Sequence, residues 1–145
     1  MKKFLLDTNV LSEAVRTLPD RHVLAMLKRH EAELTTAAPV WHELRFGCLR
    51  LPISRKRELI EAYLEGVVRA NVDILPYDDQ AAGYHAQERA RLVAQGQTPS
   101  FVDGQIAAIT KVNNLILVTR NTADFSKFEG LEVHSWHSAA KGRNQ

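Results

Sequence analysis

Cysteine is almost absent: Cys48 stands alone among 145 residues. That excludes an internal disulfide and a zinc site built on thiolates. Its plain role is that of a small buried hydrophobe. No apolar run approaches the roughly 18 residues of a membrane span, and the basic start Met1-Lys2-Lys3 meets an acid already at Asp7, so no signal peptide is visible. A soluble cytoplasmic protein is expected, with no membrane partner. Charge of one sign is lacking too. Nineteen Lys and Arg against 17 Asp and Glu give a net +2, too mild to announce a nucleic-acid binder, although acids gathered in one place would leave the rest of the surface basic. No internal repeat, low-complexity tract or linker divides the chain. Its length is that of one domain able to bury its own core, here residues 1–137 with a polar tail over 138–145.

What is present is alternation. Phe4-Leu5-Leu6 runs straight into Asp7, as a short buried strand would. Further strands are expected at 33–38, 72–76, 115–119 (apolar on both faces, so central) and 131–133. Helical patterns fill the gaps. Asn9 to Arg16 is short. Asp20 caps a helix carrying Val23, Leu24 and Leu27. Pro39 opens one with Trp41, Leu44, Cys48 and Leu51. Ser54 caps a long helix with Ile60, Tyr63, Leu64, Val67 and Val68 on one face. Asp78 or Asp79 caps another that stops at Gly96, with His85 as a structural or surface residue. The last main helix has Val102, Ile106, Ile109 and Val112 along one side and ends at Asn113-Asn114. Strands alternating with helices mean an α/β fold with a parallel sheet covered on both faces.

Four acids fall at comparable places in this scheme. Asp7 ends strand one, Glu43 lies early in the helix after strand two, Asp103 begins the helix before strand four, and Asp124 follows that strand. The ends of strands one and four are neighbours at the switch point of such a sheet, so the acids could converge. Two carboxylates about 4 Å apart repel by about 4 kcal/mol at an effective dielectric near 20. Four together need protons or a cation, and an all-carboxylate set suits Mg²⁺ or Mn²⁺ rather than zinc. The competing account makes each acid an independent helix cap: Asp7 or Asn9 for the first helix, and Ser100-x-x-Asp103 as a capping pair.

The segments Leu6-Asp7-Thr8-Asn9-Val10-Leu11-Ser12-Glu13, Trp41-His42-Glu43-Leu44-Arg45-Phe46-Gly47, Phe101-Val102-Asp103-Gly104-Gln105-Ile106-Ala107-Ala108 and Val118-Thr119-Arg120-Asn121-Thr122-Ala123-Asp124-Phe125 together resemble the PIN-domain family, and within it the VapC-type toxins of type II toxin–antitoxin modules. The likeness covers nearly the whole chain in the family's order. It implies a three-layer α/β/α sandwich around a parallel sheet of about five strands, and a Mg²⁺-dependent (or Mn²⁺-dependent) endoribonuclease that leaves a 5′-phosphate, with tRNA the favoured substrate. Carried over by residue, Asp7 and Asp103 match the acids most directly tied to the metal, Glu43 the third and Asp124 the fourth. Asn9, Thr119 and Asn121 match small polar residues that support the acids. Asn113-Asn114 stands where relatives often have a glycine turn.

The resemblance further implies a homodimer, a VapB-type antitoxin that lays an arm, often with an Arg, over the acidic pocket, and contact with DNA only through that complex. RNA approaching an acidic pocket needs a basic rim; by position, Arg45 and Arg120 are the first candidates, with Arg16, Arg50 and Lys127 behind them. Three other functions compete. A DNA nuclease could use the same pocket. A binding module could act mainly at DNA with its antitoxin, although four intact acids argue against an inactive domain. A haloacid-dehalogenase-type phosphatase would want a second Asp where Asn9 stands.

Overall fold

Phe4–Leu6 forms β1, fully buried, and it is the middle of the sheet. The computed structural model describes residues 1–138. Five parallel strands lie in the order β3-β2-β1-β4-β5, with β2 at Leu34–Ala37, β3 at Asp73–Leu75, β4 at Ile116–Val118 and β5 at Val133–His134. Phe4, Leu5 and Leu6 register with Leu34, Thr35 and Thr36 on one side and with Ile116, Leu117 and Val118 on the other. The centre of the sheet is therefore β1, not the 115–119 strand. The latter is interior all the same, because it also pairs with β5, and this is why it is apolar on both faces. Chain direction reverses its walk across the sheet between β1 and β4, and the ends of these two strands open a crevice there.

Helices cover the sheet. α1 (Thr8–Leu11) runs into a 3₁₀ turn at Ser12–Val15; α2 is Arg21–Arg29, α3 Ala38–Leu49, α6 Asp79–Ala94, α7 Phe101–Val112 and α8 Thr122–Phe125. The caps are those the sequence announces. Asp20 accepts from the amides of His22 and Val23, Ser54 from Arg57, and Asp78, rather than Asp79, from Ala81. Gly96 (φ 77°) follows α6, and Asn114 (φ 56°) takes the left-handed turn after α7, a conformation Asn tolerates better than most residues. Cys48 is buried in the core.

The segment after Ser54 departs from a single regular helix. α4 (Arg55–Tyr63) passes through a π turn at Leu64–Val68 into α5 (Arg69–Asn71). A π turn carries an extra residue and so rotates the face that follows it. Leu64 and Val68 stay buried while Val67 turns out to solvent, against the expectation of one continuous apolar stripe. Likewise on α7, Ile106 and Ile109 are buried but Val102 is exposed.

Ser138 is still held to the body of the protein, its amide and hydroxyl donating to the two Asp20 carboxylate oxygens at 2.8 and 3.0 Å. The rest of the expected tail lies outside the described residues. Among the described residues, no helix is long and apolar enough to cross a membrane.

Candidate active site: a carboxylate cleft at the switch point

Asp7 follows β1 directly and is only 8% exposed. It does two jobs. Its Oδ1 accepts from the Thr8 amide at 2.8 Å, which caps α1. Its Oδ2 accepts from the Thr119 hydroxyl, also at 2.8 Å, across the β1–β4 seam. Thr119 in turn accepts from Asn9 Nδ2 at 3.3 Å and from the Asn121 amide at 3.1 Å, while Asn9 Oδ1 accepts from the Arg120 amide at 3.0 Å. The residues expected to support the acids thus form one network that ties the end of β1 to the end of β4. Asn121 joins it through its backbone.

Asp103 sits in the first turn of α7. The cap there is Ser100, whose hydroxyl accepts from the Asp103 amide at 3.0 Å; the Asp103 carboxyl lines the cleft instead. Glu43 is the sixth residue of α3, beyond any capping position, and its Oε2 accepts from the Thr8 hydroxyl at 3.2 Å. Asp7, Glu43 and Asp103 face one open cleft of about 560 Å³, with Thr8, Asn9, Ser12, Ser100 and Asn121 around it. Asp124, exposed in α8, lies at its margin: it is absent from the lining, yet its charge acts on both Asp7 and Asp103. Thr8, Ser12 and Ser100 escaped the sequence analysis as site residues. The only available signal was their adjacency to the acids.

Electrostatics favour a cation. Burial raises the Asp7 carboxyl above its usual range; the Thr119 and Thr8 hydrogen bonds work against this, and the charges of Glu43 and Asp124 add to it. Asp103 is also raised, first by burial and then by the charges of Asp7, Asp124 and Glu43, with the Ser100 hydroxyl opposing. The charges that act most strongly on either carboxyl are those of the other acids. Burial and mutual repulsion disfavour ionisation of both carboxyls, and a bound positive charge would relieve this. Among the described residues, no three His, Cys, Asp or Glu side chains stand close enough to enclose an ion by themselves. The donors are nevertheless all hard oxygens, and they fit an ion that takes one or two carboxylates and keeps water on its remaining positions, as Mg²⁺ does.

The arginines divide. Arg45 lies 3.5 Å from both Glu61 and Glu65, so its charge is committed within the protein rather than offered at the rim. Arg16 is held by buried Glu13 at 2.8 Å. Arg50 and Arg120 are exposed, Lys127 is half-buried, and none of the three pairs with a carboxylate among the described residues. A further cavity, of about 670 Å³, is an apolar groove lined by Leu24, Leu27, Tyr63, Val67 and Val72. It contains none of the four acids, so the polar chemistry belongs to the cleft.

Comparison with known proteins agrees with this geometry. Residues 4–131 match the PIN domain. The chain is 34% identical to the VapC ribonuclease Y4jK of Sinorhizobium fredii, covering 93% of this chain and 99% of that one. It is 32% identical to the tRNA(fMet)-specific endonuclease VapC of Shigella flexneri, covering 94% and 99%. Among solved structures, the DNA-bound VapBC of Salmonella typhimurium superposes with a TM-score of 0.82 at 28% identity, covering 94% of this chain and 99% of that one. PIN nucleases depend on divalent metal. With its acids at the β1–β4 crevice and its likeness running from end to end, this chain belongs to the PIN-domain family, among the VapC-type ribonuclease toxins.

Proposed function

We propose that this protein is the toxin of a toxin–antitoxin pair and acts as a divalent-metal-dependent endoribonuclease, Mg²⁺ or Mn²⁺ serving at the cleft and tRNA being the substrate class. The observation that carries this reading is the juxtaposition of Asp7 and Asp103, both pushed toward protonation by burial and by each other's neighbours, in a cleft wide enough for a phosphodiester and open to solvent. A bound divalent cation supplies positive charge to the phosphate and acidifies water. Asp7 and Asp103 would hold it. Glu43 and Asp124, at the sides of the cleft, would orient the attacking water and take its proton. Thr119 and Asn9 fix the Asp7 carboxylate so that one oxygen keeps its direction, and Thr8 does the same for Glu43.

A tRNA target is supported by the Shigella relative, whose name gives that specificity. An antitoxin partner is supported by similar structures that are VapBC complexes, the DNA-bound Salmonella complex among them; an antitoxin cation entering the acidic cleft would gain a charge-assisted pairing. We place the protein in the cytoplasm, as a homodimer of single-domain subunits spanning residues 1–137, and assign DNA contact to the antitoxin complex. The test is end-mapping of cellular RNA after brief expression of the wild type and of Asp7→Asn. Discrete new 5′ ends in the wild type alone are expected. Equal cleavage by Asp7→Asn removes Asp7 from the chemistry, and cleavage of DNA in preference to RNA favours the competing DNA nuclease.

A further inference from the structure

Beside the acidic cleft lies a second depression of about 470 Å³, whose lining includes His42, Glu43, Phe46, Tyr77, Val102 and Gln105. It shares Glu43 and Val102 with the cleft, so the two are one continuous surface. Its character is different. Phe46 is 58% exposed, one helical turn beyond Glu43 on α3. His42, on the same face, stacks on it with ring centroids 6.2 Å apart and planes 17° apart. The Arg50 guanidinium lies 6.0 Å from the Phe46 centroid. Across the depression stands Tyr77, whose hydroxyl shares a 2.8 Å hydrogen bond with Nδ1 of buried His85. Phe101, also half-exposed, packs on His85 at 4.7 Å and carries the Arg89 guanidinium 5.4 Å from its centroid.

We propose that this depression is a nucleobase platform, on which Phe46 stacks a base of the RNA next to the scissile phosphate while Gln105 meets its edge; the inference rests on the ribonuclease reading above. Aromatic faces beside cationic side chains are how proteins hold unpaired nucleotides, because every base has a π-face and the backbone between bases is anionic. The acids cannot supply that hold, since they repel phosphate. Tyr77 is pinned at its hydroxyl, so the far wall is rigid before the base arrives. A second copy of this chain is the other occupant an exposed phenyl invites. Continuity with the cleft and the guanidinium beside each exposed ring favour a polyanionic chain that must already pass Glu43.

The test uses single-stranded RNA oligonucleotides cleaved by the wild type, with Phe46→Ala and Phe46→Trp compared. Phe46→Ala should raise KM about 5- to 140-fold, the range of a lost base stack, with kcat kept within a few-fold; Phe46→Trp should restore binding. In the wild type, an abasic site beside the scissile phosphate should cost as much as Phe46→Ala, and should add little to that variant. An unchanged KM, or abasic penalties that simply multiply with the mutation, overturns the platform. So does a Phe46→Ala defect that follows a fall in the mass of the assembly by light scattering, which assigns the face to a second copy. Absence of any RNA cleavage by the wild type is a different failure, that of the ribonuclease reading. Binding of uncleaved RNA by Asp7→Asn, with and without Phe46→Ala, then decides the platform by itself: loss of affinity supports it, and equal affinity or no binding overturns it.

Discussion

The Thr119 hydroxyl donates to Asp7 Oδ2 at 2.8 Å although 112 positions separate the two residues. Because β1 and β4 are hydrogen-bonded neighbours, with Leu6 in register with Val118, the residue just past the end of one strand meets the residue just past the end of the other. Asn9, the Asn121 amide and the Arg120 amide complete the clasp. The Asp7 carboxylate is therefore aimed before any ligand arrives.

Thr119→Val keeps the shape of the side chain and removes this hydroxyl. It also leaves Asn9 Nδ2 and the Asn121 amide without their acceptor. Loss of a partner that orients a ligand costs on the order of 10- to 100-fold in metal affinity or activity. Titration of Mn²⁺ against cleavage rate should show a weaker apparent affinity of that size, and a curve unchanged from the wild type would remove Thr119 from the site.

Divalent cation should stabilise the fold. A ligand at about 100 times its Kd contributes about 2.7 kcal/mol, or roughly 8 °C in Tm for a domain of this size. Asp103→Asn should abolish most of that shift. Both Asp7 and Asp103 have raised carboxyl pKa values, so their ionised forms cost the metal-free fold stability above those pKa values, and the cost fades as pH falls and protons bind. Protons and cation then compete, and the cation-induced rise in Tm should shrink on acidification. A rise of equal size at every pH, or in Asp103→Asn, would place the ion elsewhere.

Glu13 is buried with three partners: the Asp20 amide at 2.7 Å, Arg16 at 2.8 Å and His137 at 3.2 Å. Burial by itself would raise its pKa, but the Asp20 amide, Arg16 and His137 together outweigh it and the carboxyl is lowered. Its contribution is present above the ordinary 4.5 and is lost as pH falls through the lowered value. Glu13→Gln should cost about 2 kcal/mol near neutral pH and less in acid, where the wild type has lost the same interaction. Urea denaturation in a pH series from neutral into acid measures both; a cost that never shrinks along the series refutes the linkage.

Gly104 has a steric duty. A Cβ there would fall within 2.6 Å of His85 Cδ2 and closer still to its Nε2. Overpacking of this kind costs typically 1–3 kcal/mol. Gly104→Ala should destabilise by that amount and disturb Asp103 beside it. Combining it with His85→Ala should recover part of the loss, and strictly additive losses in thermal unfolding would show that the ring is not the obstacle.

Several features were legible in residue order. The buried strand ending at Asp7, the caps at Asp20, Ser54 and Ser100, the stop at Gly96 and the parallel alternation all depend on neighbours within a few positions, where periodicity and capping chemistry act. The alternative that Asp7 only caps a helix could not be separated from a site by such rules, and the structure shows why: one oxygen caps α1 while the other binds Thr119. For Asp103 the cap is Ser100, which leaves the acid to the cleft.

Local pattern determined the fold class and most of the strand and helix succession, and the ordered motifs singled out the four acids as candidates, since these follow from short-range hydrophobic spacing and from motifs that keep their order. Only tertiary structure decided what depends on distant segments meeting. It committed Arg45 to Glu61 and Glu65, turned Val67 outward through a π turn, made β1 rather than β4 the centre of the sheet, and set Phe46 and Tyr77 around one depression beside the acids. A side chain's charge partner and exposure are properties of the packed surface, and a linear pattern carries no term for what arrives from thirty or a hundred residues away.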